Sequence, residues 1–309
     1  MAAKVAASVG LLAWLFYSVD WEKFRSVAGA VPIWVLFAGL LLACIAQLLA
    51  ARRLQILLRA QHVEISYVLS VNLTFMGLFA GNFLPSTVGG DAVKIVMLAR
   101  KGFGKGVSTL SIVADRLLGL FALVMLLPLI MATPRIFGLD TIRTLAIVMG
   151  VGALFGAVVL GLVVLYAARF ARTPGSPGSG LAARVVQLRS MLAFRISLWA
   201  TRPRDIAVGF GLSVASILIG IASVWIQAQP MGFSVSFMEF VAVYTLICLA
   251  TLPPISVNGL GVQEVAFVYL FSHLGATPEQ ALALALVARA LNLVTSLPGA
   301  LFLLSNKTD

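Results

Sequence analysis

Charged residues are scarce in this chain, and acidic residues are the scarcest. Only 11% of its 309 residues are charged while 61% are hydrophobic, and the 22 lysines and arginines outnumber the 11 acids. A soluble globule carries about 25% charged residues, so this chain lacks the polar surface to cover one. The same figures exclude a disordered chain, a disulfide scaffold and a nucleic-acid binder. The composition therefore predicts a membrane protein.

Cysteine and histidine are also nearly absent, with two of each. Cys44 and Cys248 lie in apolar runs, so we expect no structural disulfide. His62 and His273 stand singly, without a cysteine or acidic cluster around them, so we expect no metal site. The sequence contains no nucleotide-binding loop and no serine-hydrolase elbow, so we expect neither a cofactor nor enzyme activity.

Long apolar runs predict an all-α polytopic membrane protein with one transmembrane domain over residues 1–309. A helix needs about 20 apolar residues to cross the bilayer core. Six runs qualify as full crossings, near residues 4–19, 31–51, 107–131, 141–168, 205–228 and 281–304. Two further apolar regions, 66–101 and 237–275, are interrupted by Pro, Gly and Asn. We interpret both as re-entrant or broken-helix hairpins.

The basic residues predict how the chain is oriented. They concentrate in every second loop along the chain. These loops are at 51–65, 100–106 and 169–204. Because such loops remain on the cytoplasmic side, both termini are predicted to be cytoplasmic. Residues 170–204 would form a cytoplasmic linker followed by an amphipathic helix on the membrane surface. A solvated loop helix is the alternative.

Residues 66–131, the first segment, resemble residues 236–304, the second segment. In both, an apolar stretch ends at a proline, a glycine follows five residues later, and a long apolar helix then carries an arginine. The corresponding residues are Pro85, Gly90 and Arg116 in the first segment and Pro254, Gly259 and Arg289 in the second. An odd number of crossings separates the segments, which predicts an inverted repeat of the kind found in secondary transporters. Chance similarity between leucine-rich stretches is the alternative.

The helix breaks are expected to line a substrate cavity, because non-helical backbone at membrane depth needs polar partners. The candidate substrate-binding residues of the first segment are Pro85, Ser86, Thr87, Gly89, Gly90, Asp91, Lys94, Asp115 and Arg116. Those of the second segment are Pro254, Ser256, Asn258, Gly259, Gly261, Glu264 and Arg289. In the first break, a hydroxyl cap and free helix amides near Lys94 would form an anion site. In the second, Ser256 and Asn258 are the expected caps.

The charged residues in these apolar stretches need partners, since a charge at the bilayer centre costs at least about 2.5–3.5 kcal/mol. We expect Asp115 to pair with Lys94 and Arg289 to pair with Glu264. Two structural alternatives remain open at this point. Each break could be a glycine-mediated helix contact without a ligand, and each ion pair could serve only to lock helix packing.

Two motifs in these segments resemble those of a known family. Residues 81–94, Gly-Asn-Phe-Leu-Pro-Ser-Thr-Val-Gly-Gly-Asp-Ala-Val-Lys, and residues 253–264, Pro-Pro-Ile-Ser-Val-Asn-Gly-Leu-Gly-Val-Gln-Glu, resemble the signature segments of the lysylphosphatidylglycerol synthase transmembrane-region family, the flippase-like integral membrane proteins. Family members usually have arginine where Lys94 stands. That departure keeps the charge but loses the bidentate fork of a guanidinium.

The resemblance implies a lipid translocase in the inner (plasma) membrane of a bacterial or archaeal-type cell. In bifunctional members, a soluble domain transfers an aminoacyl group from tRNA to phosphatidylglycerol, and the membrane part moves the product outwards. The present sequence ends at Asp309, directly after the last apolar run. We therefore expect it to lack that domain and the synthase activity.

The sequence thus predicts a translocase that moves an anionic or polar-headed phospholipid or glycolipid between leaflets, passively or coupled to an ion. Two alternatives stay open. One is a membrane-embedded lipid-modifying transferase with Asp91 or Glu264 as its base or nucleophile. The other is an accessory protein that docks a cytoplasmic enzyme through residues 169–204. Small residues at Gly150, Gly152, Gly156 and Gly161 also suggest a homodimer.

Overall fold

The computed structural model describes residues 19–83, 89–132, 199, 201–252 and 256–305. These ranges contain nine α-helices, two short 3-10 helices and no strand, which confirms the predicted all-α class. The α-helices are α1 (Trp21–Gly29), α2 (Ile33–Ala60), α3 (Tyr67–Phe83), α4 (Gly89–Arg100), α5 (Lys105–Val124), α6 (Pro203–Ala228), α7 (Phe237–Ala250), α8 (Val262–Ser272) and α9 (Pro278–Ser305). The 3-10 helices are Leu127–Ala132 and Val257–Gly259.

Four helical stretches are long and apolar enough to cross a membrane. They are Ile33–Ala60, Gly106–Ile130, Pro203–Ala228 and Pro278–Leu304. Each corresponds to one of the predicted full crossings. The other two, at 141–168 and, except for Val19, at 4–19, lie outside the described residues. So do nearly all of the predicted cytoplasmic linker and the four glycines suggested for a homodimer.

Helix α2 is longer than predicted. The sequence suggested that it would end at residue 51 and that 51–65 would be a loop, but the helix continues to Ala60. Leu54, Leu57 and Leu58 are buried at helical spacing, so the apolar face of the helix stays packed against protein beyond the expected end. Arg53 therefore lies on a buried helix face rather than in a cytoplasmic loop.

The outer faces of the long helices carry large hydrophobic side chains. Ile33, Phe37 and Leu41 form one exposed row on α2, and Leu297 and Leu301 are exposed on α9. Their spacing of four residues places each row on one face of its helix. In water such a surface would be unfavourable, so these rows indicate contact with lipid acyl chains.

The two interrupted regions form pairs of short helices, α3 with α4 and α7 with α8, as predicted. Each pair begins at a serine that caps its first helix. The Ser66 hydroxyl accepts a hydrogen bond from the Leu69 amide at 3.2 Å, and the Ser236 hydroxyl accepts one from the Glu239 amide at 3.3 Å. In turn, the Glu239 carboxylate accepts a hydrogen bond from the Ser236 amide at 2.9 Å. These bonds satisfy amides that the first helical turn leaves unpaired.

Helix α3 is approached closely by two other helices at glycines. A Cβ atom on Gly90 of α4 would overlap the carbonyl oxygen of Gly77, and one on Gly299 of α9 would overlap the carbonyl oxygen of Phe75. Both positions therefore require glycine. This packing sets α4 and α9 directly against α3, although they are distant in sequence from each other.

Aromatic packing holds the helices of the second segment together. Phe240 of α7 and Phe267 and Phe271 of α8 are fully buried. The ring centroids of Phe240 and Phe271 lie 5.0 Å apart, and those of Phe267 and Phe271 lie 5.6 Å apart. Tilted ring pairs at such distances add to the stability that burial provides. The α7–α8 pair is therefore a rigid support for the second helix break.

Candidate functional site

A partly open cavity of about 1090 Å³ lies between the helices of the first and second segments and is also bordered by α2 and α6. Among the described residues, its wall contains four basic and two acidic side chains, which are Arg53, Lys94, Arg116, Arg289, Asp91 and Asp115. Because basic groups are in excess, the wall is suited to a ligand that carries negative charge.

In the first segment, Asp91 forms ion pairs with two bases. One carboxylate oxygen contacts Nε of Arg116 on α5, and the other lies 3.8 Å from Nζ of Lys94, one turn further along α4. The side chains of Asp91 and Lys94 are largely buried, whereas that of Arg116 is 48% exposed. The acid thus contacts an arginine that lines the cavity and whose side chain is about half exposed.

Glycine makes room for this cluster. The Lys94 side chain lies across Gly77 of α3, where a Cβ atom would overlap Cε of the lysine. The close contact between Gly77 and Gly90 brings α4 near enough to α3 for the lysine to lie there. For Gly90, the glycine-mediated helix contact that the sequence analysis left open is therefore present, and Gly90 also lies on the cavity wall.

In the second segment, Arg289 of α9 pairs with Glu264 of α8, as predicted. Arg289 Nε donates to Glu264 Oε1 at 2.7 Å, and one of its terminal nitrogens donates to Gln263 Oε1 at 3.1 Å. The guanidinium also donates to the carbonyl oxygens of Asn258 and Gly259 at 3.4 and 3.5 Å. The arginine side chain is 17% exposed and the glutamate side chain is fully buried. Arg289 is thus occupied by the backbone and side chains of the second break.

The backbone of this break needs residues that tolerate a left-handed conformation. The φ angles are 51° at Asn258, 71° at Gly259 and 83° at Gly261, a region favoured by glycine and tolerated by asparagine. Helix α8 starts directly after Gly261, whose amide donates to the Glu264 carboxylate at 2.7 Å. The prediction of Ser256 and Asn258 as helix caps was wrong, because Glu264 accepts the free amide at the start of its own helix.

The predicted pairing of Asp115 with Lys94 was also wrong. Asp115 accepts two hydrogen bonds from Arg53 of α2, from Nε at 2.6 Å and from a terminal nitrogen at 3.1 Å. Arg53 also donates to the Ser213 hydroxyl of α6 at 3.1 Å. Lys94 instead pairs with Asp91, one turn away. The buried pair of Arg53 and Asp115 ties α2, α5 and α6 together, which is a structural role.

Arg53 and Asn82 are among the residues of the cavity wall that sequence reasoning missed. Arg53 was assigned to a loop, although the apolar pattern continues beyond it at helical spacing. Asn82 lies in the last turn of α3, and its side-chain oxygen accepts a hydrogen bond from Nδ2 of Asn258 at 3.4 Å, which joins the two segments. Its own Nδ2 is buried and has no partner among the described residues. The sequence pattern that could have identified Asn82 is the presence of an asparagine next to each of the two helix breaks.

The predicted site residues fall into three groups. The cavity wall includes Gly90, Asp91, Lys94, Asp115, Arg116, Asn258 and Arg289. Gly89, Ser256, Gly259, Gly261 and Glu264 are part of the described structure but do not line the wall. Pro85, Ser86, Thr87 and Pro254 lie outside the described residues, so the predicted cap of the first break is not described. Within the described ranges, no three His, Cys, Asp or Glu side chains are grouped to hold a metal ion.

Comparison with known proteins agrees with the motifs. Residues 1–299 match the family described as Lysylphosphatidylglycerol synthase TM region. A UPF0104 membrane protein of Archaeoglobus fulgidus is 23% identical over 283 residues, which covers 87% of this chain and 85% of the relative. A UPF0104 membrane protein of Pyrococcus horikoshii is 21% identical and covers 98% of this chain and 96% of the relative. The chain therefore belongs to the lysylphosphatidylglycerol synthase TM region family of membrane proteins.

Proposed function

We propose that this protein is a flippase-like translocase that moves an anionic or polar-headed lipid between the leaflets of the inner membrane. The observation that carries the proposal is a cavity that lies between both broken segments and has the half-exposed side chain of Arg116 on its wall. A phosphate that leaves water for the bilayer interior needs such counter-charges, because an unpaired charge there is costly.

The arrangement around Arg116 suits a phosphate head group. A guanidinium can donate two parallel hydrogen bonds to a phosphate, and the Arg116 side chain is 48% exposed. Lys94 adds a second positive charge beside the same carboxylate. In this proposal Asp91 orients the two bases, and the incoming phosphate shares them with it.

The likeness of the two segments supports an alternating-access mechanism. In each, an arginine lies 25 residues after the acid with which it pairs, Asp91 with Arg116 and Glu264 with Arg289. The hydrogen bond between Asn82 and Asn258 links the two breaks. In transporters with inverted repeats, the substrate binds where broken helices meet, and rocking of one repeat exposes the site to either side. In this proposal both termini lie in the cytoplasm, and transport is either passive or coupled to an ion.

The test is leaflet exchange of head-group-labelled anionic phospholipids and glycolipids in proteoliposomes. Arg116→Gln should slow exchange about ten- to one-hundredfold, because a hydrogen bond to a charged group contributes about 1.5–3 kcal/mol. Arg100→Gln is the matched control, since Arg100 lies on the exposed end of α4 and not on the cavity wall. Folded wild-type protein that exchanges none of these lipids would refute the proposal.

Chemical analysis of the same lipids separates transport from catalysis. A translocase changes no covalent bond, so the extracted lipids should be chemically identical to those supplied. A new lipid product that requires Asp91 or Glu264 would favour the transferase alternative instead.

A further inference from the structure

We infer that the cavity binds one acyl chain of the transported lipid as well as its head group. The chain would lie in a second, apolar part of the cavity, the chain subsite, which is lined by Leu120, Leu123, Ile217, Ile221, Ile247 and Cys248. This inference rests on the proposed function, and it specifies what part of the substrate enters the protein. The alternative is that only the head group enters while both chains stay in the bilayer.

The size of the cavity is the first argument. Pockets that enclose a complete drug-sized ligand measure about 300–1,000 Å³. At about 1090 Å³, this cavity has far more space than a phosphate head group would fill. Among the described residues, the part of the wall that α6 and α7 contribute carries no charged side chain.

The geometry of α5 is the second argument. Arg116, Leu120 and Leu123 all line the cavity and follow one another at spacings of four and three residues. They therefore lie on one face of the helix, and about 10 Å of helix axis separates the first from the last. A lipid with its phosphate at Arg116 would have its glycerol and first methylenes beside Leu120.

The exposure of α5 is the third argument. Val113, Leu117 and Leu120 are large hydrophobic residues that line the cavity and have side chains exposed to solvent or to the cavity. The cavity is only partly enclosed, so an acyl chain can enter it and lie against this apolar surface. Transfer between two hydrocarbon surroundings has little free-energy cost, because lipid tails are as apolar as leucine side chains.

A bulky substitution in the chain subsite tests this inference. Cys248 lies on the wall of the subsite, whereas Cys44, the other cysteine of the sequence, lies on α2 away from it. Cys248→Phe should slow phospholipid exchange about tenfold, the change produced by about 1.4 kcal/mol of lost binding. The matched control Cys44→Phe should leave exchange near the wild-type rate. Equal rates in the folded Cys248→Phe and Cys44→Phe proteins would overturn the inference.

Alkylation of the two cysteines tests the subsite without changing its packing. The Cys44→Ser protein reports Cys248, and the Cys248→Ser protein reports Cys44. In phosphatidylcholine nanodiscs, adding phosphatidylglycerol should slow the reaction of Cys248 with N-ethylmaleimide several-fold and leave that of Cys44 unchanged. Glycerol 3-phosphate, which has the charge but no chain, should not slow it. Equal slowing by glycerol 3-phosphate, or no slowing by phosphatidylglycerol, would contradict chain binding.

The two experiments distinguish failure of this inference from failure of the proposed function. Exchange that depends on Arg116 but is insensitive to Cys248→Phe would preserve the translocase and remove the chain subsite. If phosphatidylglycerol protected Cys248 in a protein that exchanges no lipid, the chain subsite would be supported as a lipid-binding site and the translocase function would be refuted.

Discussion

The two segments place an acid and an arginine at the same spacing but use the arginines differently. Arg289 makes four hydrogen bonds to its own segment and is 17% exposed. Arg116 pairs with Asp91 and is 48% exposed. Arg289 is therefore the more enclosed of the two arginine side chains. In the proposed function, the second segment uses its arginine for structure and the first segment uses its arginine for binding.

The largest expected effect is on the stability of the second segment. Arg289→Gln would leave the fully buried Glu264 carboxylate without its partner and should lower the free energy of unfolding by about 3–5 kcal/mol. Arg116→Gln should cost far less, because Arg116 is half exposed. Thermal unfolding of both variants in detergent checks the difference. Similar losses of stability in the two variants would contradict the proposal that Arg289 has a structural role and Arg116 a binding role.

The glycine contact in the first segment should be the next most sensitive feature. Gly90→Ala would force a methyl group against the Gly77 carbonyl and should destabilise the protein by about 1–3 kcal/mol, even though alanine favours helix formation. Gly81→Ala is the matched control, because a Cβ atom there meets nothing within 4 Å. Denaturation midpoints compare the two variants. If Gly90→Ala matched Gly81→Ala, the close approach of α3 and α4 would be wrong.

The link between the segments should contribute less. Asn258→Gly removes the hydrogen bond to Asn82 but suits the left-handed backbone, so we expect a loss of about 0.5–1.5 kcal/mol. Asn258→Ala removes the same bond and adds about 1–2 kcal/mol of backbone strain. The difference in unfolding free energy between these variants separates the two effects. Equal stability of the two would show that the left-handed backbone is not retained.

A charge outside both segments provides the smallest expected effect. The backbone amides of Lys23 and Glu22 donate to the Asp20 carboxylate at the start of α1, and the Lys23 contact is the main reason why the pKa of Asp20 lies below its ordinary value. A lowered folded pKa contributes stability above the unfolded value of about 3.9 and loses it as the pH falls below that value. Asp20→Asn should keep the cap but lack this pH dependence. Unfolding temperatures measured from neutral pH to pH values below the unfolded pKa should therefore fall slightly more for wild type than for Asp20→Asn.

Much of the fold could be predicted from local sequence. The lengths of the apolar runs identified four described crossings, and interrupting Pro, Gly and Asn residues identified the short helix pairs α3–α4 and α7–α8. The pairing of Arg289 with Glu264 was also predictable, because both lie in the same segment. The end of α2 was missed because arginines near a run of apolar residues resemble a cytoplasmic loop. Because of that error, Arg53 was not considered as a buried charge, and Asp115 was predicted to pair with the wrong residue.

The sequence by itself determined that this is an all-helical membrane protein of one recognisable family, because composition, run length and motifs are properties of neighbouring residues. Only the tertiary structure decided which charges pair across helices and which face the cavity. Arg53 and Asp115 are 62 residues apart, and Asn82 and Asn258 are 176 residues apart. Such partners meet because helices pack where glycines allow close approach, and a buried charge must then pair with whatever opposite charge that packing brings within reach.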